Sequence, residues 1–301
     1  MSEKGWRTLV IQSGGELRLD DNQIVLEGDK DICVPLDQIA RIIIAKPSVM
    51  ISSALLVEMA SRHIKVILCD HRYLPACELE GIGLHNNAAG MMMDQVGWLA
   101  EAKDKTWAHI VRAKIHMQSN LLANLDLSPA VSLTSYADEL SAGDPTNREA
   151  MAARVYFSAL FGRGFHRNTG GNLNAALNYG YAILLSEFSR MLAAHGYRTE
   201  LGIHHCRRDN QMNLSCDLME PFRPFVDALV RANGDRPLDW GYKKQLISVV
   251  HAMCRYGAKR MDLSTAIEEY TLDVMRTMEN GTNQIKEIDF AEQIWRRDGV
   301  V

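Results

Sequence analysis

From Leu201 to Asp227 the chain reads LGIHHCRRDNQMNLSCDLMEPFRPFVD. This stretch brings together two imidazoles (His204, His205), the adjacent guanidiniums of Arg207 and Arg208, and the carboxylates of Asp217 and Glu220. The acids are three residues apart, a spacing that helical geometry places on one face. Pro221 leaves two registers open: Glu220 opens a helix with Asp217 just ahead of it, or the proline kinks a longer helix. Both keep the carboxylates close. The histidines are adjacent, so in regular backbone only one of them points at the acids. Each feature also has a plainer role. Acids near a helix N-terminus complement the macrodipole, and a lone histidine often serves only as a hydrogen-bonded structural residue.

A second segment adds a third acid. In PTNREAMAARVYFSALFG, Thr146 and Glu149 spell T-x-x-E, the signature of a capping box. If Glu149 instead meets one of those acids and an imidazole from another helix, two carboxylates and one nitrogen make a hard, oxygen-rich site. Mg²⁺ or Mn²⁺ suits such a set. A two-histidine iron site suits adjacent histidines poorly, and zinc on His204, Cys206 and Cys216 matches no finger or ribbon spacing. Arg148, Arg154, Arg163, Arg167, Arg207 and Arg208 lie around these residues in sequence. A basic rim beside a carboxylate–metal centre suits a phosphodiester polyanion, although any one arginine, taken singly, pairs more readily with a surface acid.

The elements that must carry these residues read as α+β. RTLVIQ, GELRL, QIVLEG and DICVPL are short strands broken by turn residues, and RIIIAK and KVILCD are denser runs that suit central strands. SVMISSALLVEMASRH between those two fits a helix. The expectation is a small β-rich N-terminal domain (1–80), a Gly/Asn/Ala-rich connection (81–97) and a larger all-α domain (98–301). Helical periodicity in that last part covers TWAHIVRAKIHMQSNLLANL, SYADELSAGD, PTNREAMAARVYFSALFG, NLNAALNYGYAILLSEFSRMLAAHG, FRPFVDALVRANG, KKQLISVVHAMCRYG and AIEEYTLDVMRTMENG, several of them ending at glycine. No fixed-period repeat appears, which excludes a solenoid.

Composition sets the outer limits. Forty-seven per cent apolar and 23% charged residues are ordinary for a globular chain. No apolar run nears the ~20 residues of a membrane span, and MSEKGWRTLV passes straight into a strand-like run without signal-peptide architecture. A soluble, cytoplasmic chain with no membrane partner is expected. Six cysteines without a CxxC read as reduced thiols. A net charge of −4 does not advertise nucleic acid, but clustering on one face matters more than the sum.

Taken in order, WAHIVRAKIHMQ, PTNREAMAARVYFSALFG, NLNAALNYGYAILLSEFSRMLAAHG, LGIHH and NLSCDLMEPFRPFVD resemble the CRISPR adaptation integrases, CRISPR-associated protein one. The resemblance extends to the N-terminal ICVPLDQIARIIIAKPSVMISSALLVEMASRHIKVILCDHRYLPA, so it covers nearly the whole chain. The compact length and the GIHH and DLMEPFRPFVD wording are similar to the type II branch. The resemblance implies a metal site of Glu149, His205 and Glu220, with Asp217 in the ligand shell or just behind it. Asn178 and Tyr179 would support or line the site, and Phe222, Phe225 and Val226 would anchor the motif in the core. It implies Mg²⁺- or Mn²⁺-dependent DNA endonuclease and integrase chemistry: a fragment's terminal 3′-hydroxyl attacks a phosphodiester at the edge of a CRISPR repeat. It also implies double-stranded DNA contacts at Arg148, Arg163, Arg167, Arg207 and Arg208. Implied partners are a second copy through the N-terminal domain, the small CRISPR-associated protein two, and further type II adaptation subunits. The alternatives are a nuclease of branched or damaged DNA without integration, and a catalytically silent DNA scaffold. Cys206-Arg207-Arg208 and Glu187 depart from the family pattern, Glu187 standing where a basic residue often follows the NYGYA helix.

Overall fold

The computed structural model describes residues 7–27, 31–71, 75–79, 81, 87–128, 130–167 and 169–291. It divides into two compact units, Met1–Ala88 and Ala89–Val301. No helix among the described residues is long and apolar enough to cross a membrane.

The first unit is strand-rich. Strands β1 (Arg7–Ile11), β2 (Glu16–Asp20), β3 (Gln23–Leu26), β4 (Ile32–Pro35), β5 (Ile39–Ile44) and β6 (Met50–Ile51) precede helix α1 (Ser53–Ser61), followed by β7 (Lys65–Cys69) and β8 (Pro75–Leu79). One sheet has the order β4-β3-β2-β6 and the other β1-β5-β7-β8. Between β2 and β3, Asp21 and Asn22 take positive φ (38° and 64°), the two-residue turn whose twist matches the flanking strands. β5 runs parallel to both neighbours. Its Ile39, Ile42, Ile43 and Ile44 are all buried, the signature of a strand covered on both faces. Ser52 accepts the Leu55 N–H and so starts α1 at Ser53. Met50 and Ile51 therefore pair beside β2 instead of extending the helix.

The second unit is helical. It contains α2 (Ala88–Val96), α3 (Ala100–Asn124), α4 (Ala130–Asp138), α5 (Arg148–Phe161), α6 (Asn172–Ala194), α7 (Asn213–Leu218), α8 (Arg223–Asn233) and α9 (Trp240–Ile247). Strands β9 (Met253–Tyr256) and β10 (Lys259–Asp262), helix α10 (Leu263–Asn280) and β11 (Ile288–Phe290) complete it. The architecture is the expected one, strands first and helices after, with two additions. Part of the stretch read as a connection, 81–97, is α2, while 82–86 lie outside the described residues. The helix expected over KKQLISVVHAMCRYG stops at Ile247; Met253–Tyr256 alternates buried and outward positions and turns back across Gly257 (φ 59°) as a hairpin.

The core of this unit forms around α6. Gly180 lets α8 approach closely, since a Cβ there would strike Val226 Cγ1. Phe188, Phe222 and Tyr270 meet edge to face beside it, with centroids 5.1–6.2 Å apart, a favoured aromatic geometry. Phe222, Phe225 and Val226 are wholly buried, as expected for anchors of the acidic motif. Glu187 faces the interior as well, accepting hydrogen bonds from Arg190 (2.7 Å) and from Ser264 of α10 (2.5 Å). Its departure from the family pattern is thus a helix-to-helix tie.

Candidate active site

The polar stretch between α6 and α8 folds around one carboxylate. Asp217, near the end of α7, is fully buried. Its Oδ2 accepts the backbone N–H groups of Ile203 (2.6 Å) and His204 (3.0 Å). Its Oδ1 accepts the N–H of His205 (3.0 Å) and lies 2.6 Å from His205 Nδ1. The loop can wrap this tightly because position 202 is glycine: a Cβ would collide with the His205 carbonyl oxygen and lie 2.9 Å from Asp217 Oδ2. Gln95 of α2 grips the same loop. Its Nε2 donates to the Arg198 (2.7 Å) and Leu201 (2.9 Å) carbonyls, and its Oε1 accepts the Arg198 N–H (2.9 Å).

This bonding fixes the imidazole. With Asp217 ionised, Nδ1 of His205 is the donor and Nε2 is left as the free nitrogen, the arrangement that orients a metal-binding histidine. The hydrogen bond to Asp217 raises the His205 pKa against the opposing effect of burial, and the charges of Asp217, Glu220 and Glu149 act in the same direction. His205 therefore lies in the field of both glutamates.

Helix α3 supplies the opposite wall. Trp107 and Lys114 are seven residues apart, two turns along one face. The Trp107 indole stacks on His204 (4.2 Å, 3°) and meets His205 edge-on (6.0 Å, 88°). Lys114 Nζ stands 2.6 Å from Glu149 Oε1 and 2.5 Å from Glu220 Oε2. Glu220 opens a separate 3₁₀ turn, Glu220–Phe222, between α7 and α8. Of the two registers that Pro221 left open, the structure has Glu220 opening a helical turn with Asp217 just ahead of it, in α7. Arg223 Nη2 lies 2.8 Å from Glu220 Oε1. Although burial alone would raise it, the Arg223 and Lys114 charges hold the Glu220 carboxyl below its ordinary pKa. Burial likewise disfavours the Lys114 ammonium, and Glu220 and Glu149 more than offset that, holding its pKa up.

Glu149 arrives from the first turn of α5, and not as part of a capping box. Asp144 caps this helix instead, accepting the N–H groups of Arg148 (2.8 Å) and Glu149 (2.9 Å). Asn147, in the left-handed region at φ 54°, makes no side-chain cap. With the cap supplied from Asp144, the Glu149 side chain points to Lys114.

Among the described residues no three His, Cys, Asp or Glu side chains stand close enough to form a ready-made metal cage. Lys114 lies between the two glutamates, and the alternative zinc set of His204, Cys206 and Cys216 is not assembled. The donor set nevertheless fits a divalent cation. Two carboxylates already converge on one positive charge, the buried Glu220 Oε2 has the Lys114 ammonium as its partner, and His205 keeps Nε2 free. Asp217 has both oxygens engaged by the loop.

The remaining residues singled out in the sequence are more dispersed. Arg148 pairs with Glu139 (2.6 Å) and Arg207 with Asp209 (2.8 Å). Arg167 is held by Asn174 (2.5 Å) and Asn178 (2.8 Å), above the rings of Tyr181 and Phe157. Arg154, Arg163 and Arg208 are exposed. Asn178 is exposed and engaged with Arg167, and Tyr179 is buried with the Lys243 ammonium 5.5 Å from its ring centre. Sequence reasoning missed Lys114, Asp144, Gln95 and Arg223. Lys114 did leave a trace: it occupies a core position of the stripe formed by Trp107, Ile110, Val111 and Ile115, where a lysine needs a buried partner.

Comparison with known proteins identifies the family and the fold. The family model for CRISPR associated protein Cas1 matches residues 9–233, a span that includes Glu149, His205 and Glu220. The CRISPR-associated endonuclease Cas1 of Neisseria meningitidis serogroup C (strain 8013) is 34% identical over 272 residues, covering 88% of this chain and 89% of that protein. Among solved structures, a casposase bound to integration product shares the fold with a TM-score of 0.76 at 16% identity, over 93% of each chain. A Cas6-RT-Cas1–Cas2 complex matches with a TM-score of 0.71 at 17% identity, over 95% of this chain and 36% of that one. With the family model spanning most of the chain and a relative one-third identical along nearly its whole length, this protein belongs to the CRISPR-associated Cas1 family.

Proposed function

We propose that this chain is a divalent-metal-dependent DNA endonuclease and integrase that joins the 3′-hydroxyl of a short DNA fragment to the edge of a CRISPR repeat. The observation that carries the reading is the sharing of Lys114 by Glu149 and Glu220, within the field of a histidine whose Nδ1 is fixed by Asp217. Glu149, Glu220 and His205 Nε2 would hold Mg²⁺ or Mn²⁺. Such an ion acts as a Lewis acid that lowers the pKa of a hydroxyl nucleophile and offsets charge on the transferring phosphate. The chain's own groups prepare for that. Asp217 sets the tautomer of His205, Trp107 covers the imidazoles on one side, and Arg223 keeps Glu220 ionised.

The membership in the Cas1 family and the named relatives support DNA as substrate. The Cas6-RT-Cas1–Cas2 complex supports the small CRISPR-associated protein two as a partner. Homodimerisation through the β-rich unit and association with further type II adaptation subunits belong to the same proposal. Of the arginines, the exposed Arg163 and Arg208 are the best placed to meet phosphate; Arg148 and Arg207 would have to leave Glu139 and Asp209.

The test is a strand-transfer assay with a short duplex, a repeat-bearing plasmid, the small partner protein and Mn²⁺, run beside Glu220→Ala. Joined product from the wild type and none from the variant is expected. Nicking without joining would favour the nuclease reading, and equal joining by Glu220→Ala would overturn the site.

A further inference from the structure

Lys114 has no assigned part in this chemistry, yet it is the cation most closely tied to the site. Only 8% of it is exposed, and it reaches both proposed ligand carboxylates. With Arg223 on the other oxygen of Glu220, the two glutamate charges are already matched by two cations before any metal arrives. We propose that Lys114 is a displaceable counter-cation, which holds Glu149 and Glu220 together in the metal-free protein and which a divalent ion must evict to take both carboxylates.

The two cations differ in a way that assigns the roles. Arg223 offers a planar fork, lies 4.8 Å from the centre of the Tyr181 ring and is fixed at the first turn of α8. Lys114 is a compact charge at the end of a flexible four-carbon stem, able to swing while its helix stays in place. An ammonium cannot remain in contact with the same oxygens as a divalent ion, because like charges at such range repel strongly in a partly buried site. A phosphodiester brought to the site would give the freed ammonium a new anion. DNA and metal therefore bind cooperatively, and the DNA-free protein holds metal weakly.

The proposal rests on the metal reading above, and the experiment separates the two. Mn²⁺ binding to DNA-free protein is measured by calorimetry for wild type, Lys114→Gln, Lys114→Arg and Glu220→Gln. Lys114→Gln is expected to bind about tenfold tighter or more, since a competing charge in contact has been removed. Its metal-free form melts lower and shows a larger Mn²⁺-induced rise. Lys114→Arg, which keeps the charge, stays near wild type, and Glu220→Gln loses binding. In the wild type, acylation of Lys114 mapped by mass spectrometry is low without metal and rises several-fold with Mn²⁺. This readout decides the matter should Lys114→Gln fail to fold. Equal or weaker binding by Lys114→Gln, or acylation indifferent to Mn²⁺, would overturn the counter-cation role while leaving the site intact, provided Glu220→Gln still abolishes binding. Absence of binding in every protein would overturn both.

Discussion

Replacing Asp217 with asparagine tests whether this acid is a ligand or the hub of the histidine loop. Its two oxygens receive four donors: three backbone N–H groups and His205 Nδ1. An amide in the same place has one oxygen and one NH₂. Either orientation therefore faces two donors with a donor. Hydrogen bonds to a charged group contribute about 1.5–3 kcal/mol each, so losing two costs roughly 3 kcal/mol or more. In a unit the size of Ala89–Val301, about 2–4 °C of melting temperature accompanies each kcal/mol, giving a fall of roughly 6–12 °C or more. The decisive measurement is thermal unfolding without metal, followed by fluorescence and by the near-ultraviolet circular dichroism of Trp107 stacked on His204. A carboxylate that served mainly as a ligand would repel its neighbours in the metal-free state, and removing its charge would leave stability unchanged or improved. If Asp217→Asn melts within about 2 °C of wild type with its dichroism intact, the loop is held by other contacts and the argument for Asp217 as its hub fails.

Two further outcomes follow from the same unit. Asp227, buried between Tyr156 and Tyr181, has its pKa raised by desolvation from 3.8 to about 6. The native state therefore holds this proton more tightly than the unfolded chain. The stability it contributes is complete below about pH 4 and is lost as pH rises through about 6, by at most about 3 kcal/mol at about 1.4 kcal/mol per unit; urea unfolding across pH 3.5–7 should show a decline that flattens in Asp227→Asn. Gly202→Ala would force a Cβ against the His205 carbonyl oxygen and Asp217 Oδ2. It should unfold several degrees below wild type and lose most of the Mn²⁺-induced rise in melting temperature, whereas wild-type behaviour would show that the loop can open there without consequence.

The fold was legible wherever pattern is local. The six apolar runs of the first unit became strands because their turn residues, such as Asp21-Asn22, admit only a few backbone conformations. Helices α3, α5, α6 and α10 followed their apolar periodicity. What escaped depended on contacts distant in sequence. Periodicity alone could not tell that Met253–Tyr256 would leave the helical pattern for a hairpin, because the partner strands, β10 and β11, lie further along the chain. Nor does a segment rich in Gly, Asn and Ala declare that its far half will be a helix. Gln95 has its amide fully engaged by backbone more than a hundred residues away, and that engagement is invisible locally.

The site shows the same division. Residue type and spacing drew attention to Glu149, His205, Asp217 and Glu220, and the resemblance selected among them, but neither revealed how each is held. Thr146 and Glu149 form a valid capping signature, and an isolated helix would be free to use it. The chain uses Asp144 instead, whose carboxylate accepts both leading N–H groups of α5. That substitution has a chemical consequence. A Glu149 side chain folded back on its own helix would have its charge satisfied locally; with the cap supplied from outside, it points to Lys114 and, through that ammonium, to Glu220. The carboxylates are thereby brought together at the cost of a lysine buried in α3. A lysine in that apolar stripe is accounted for by its charge, which Glu149 and Glu220 share and which offsets the repulsion between them.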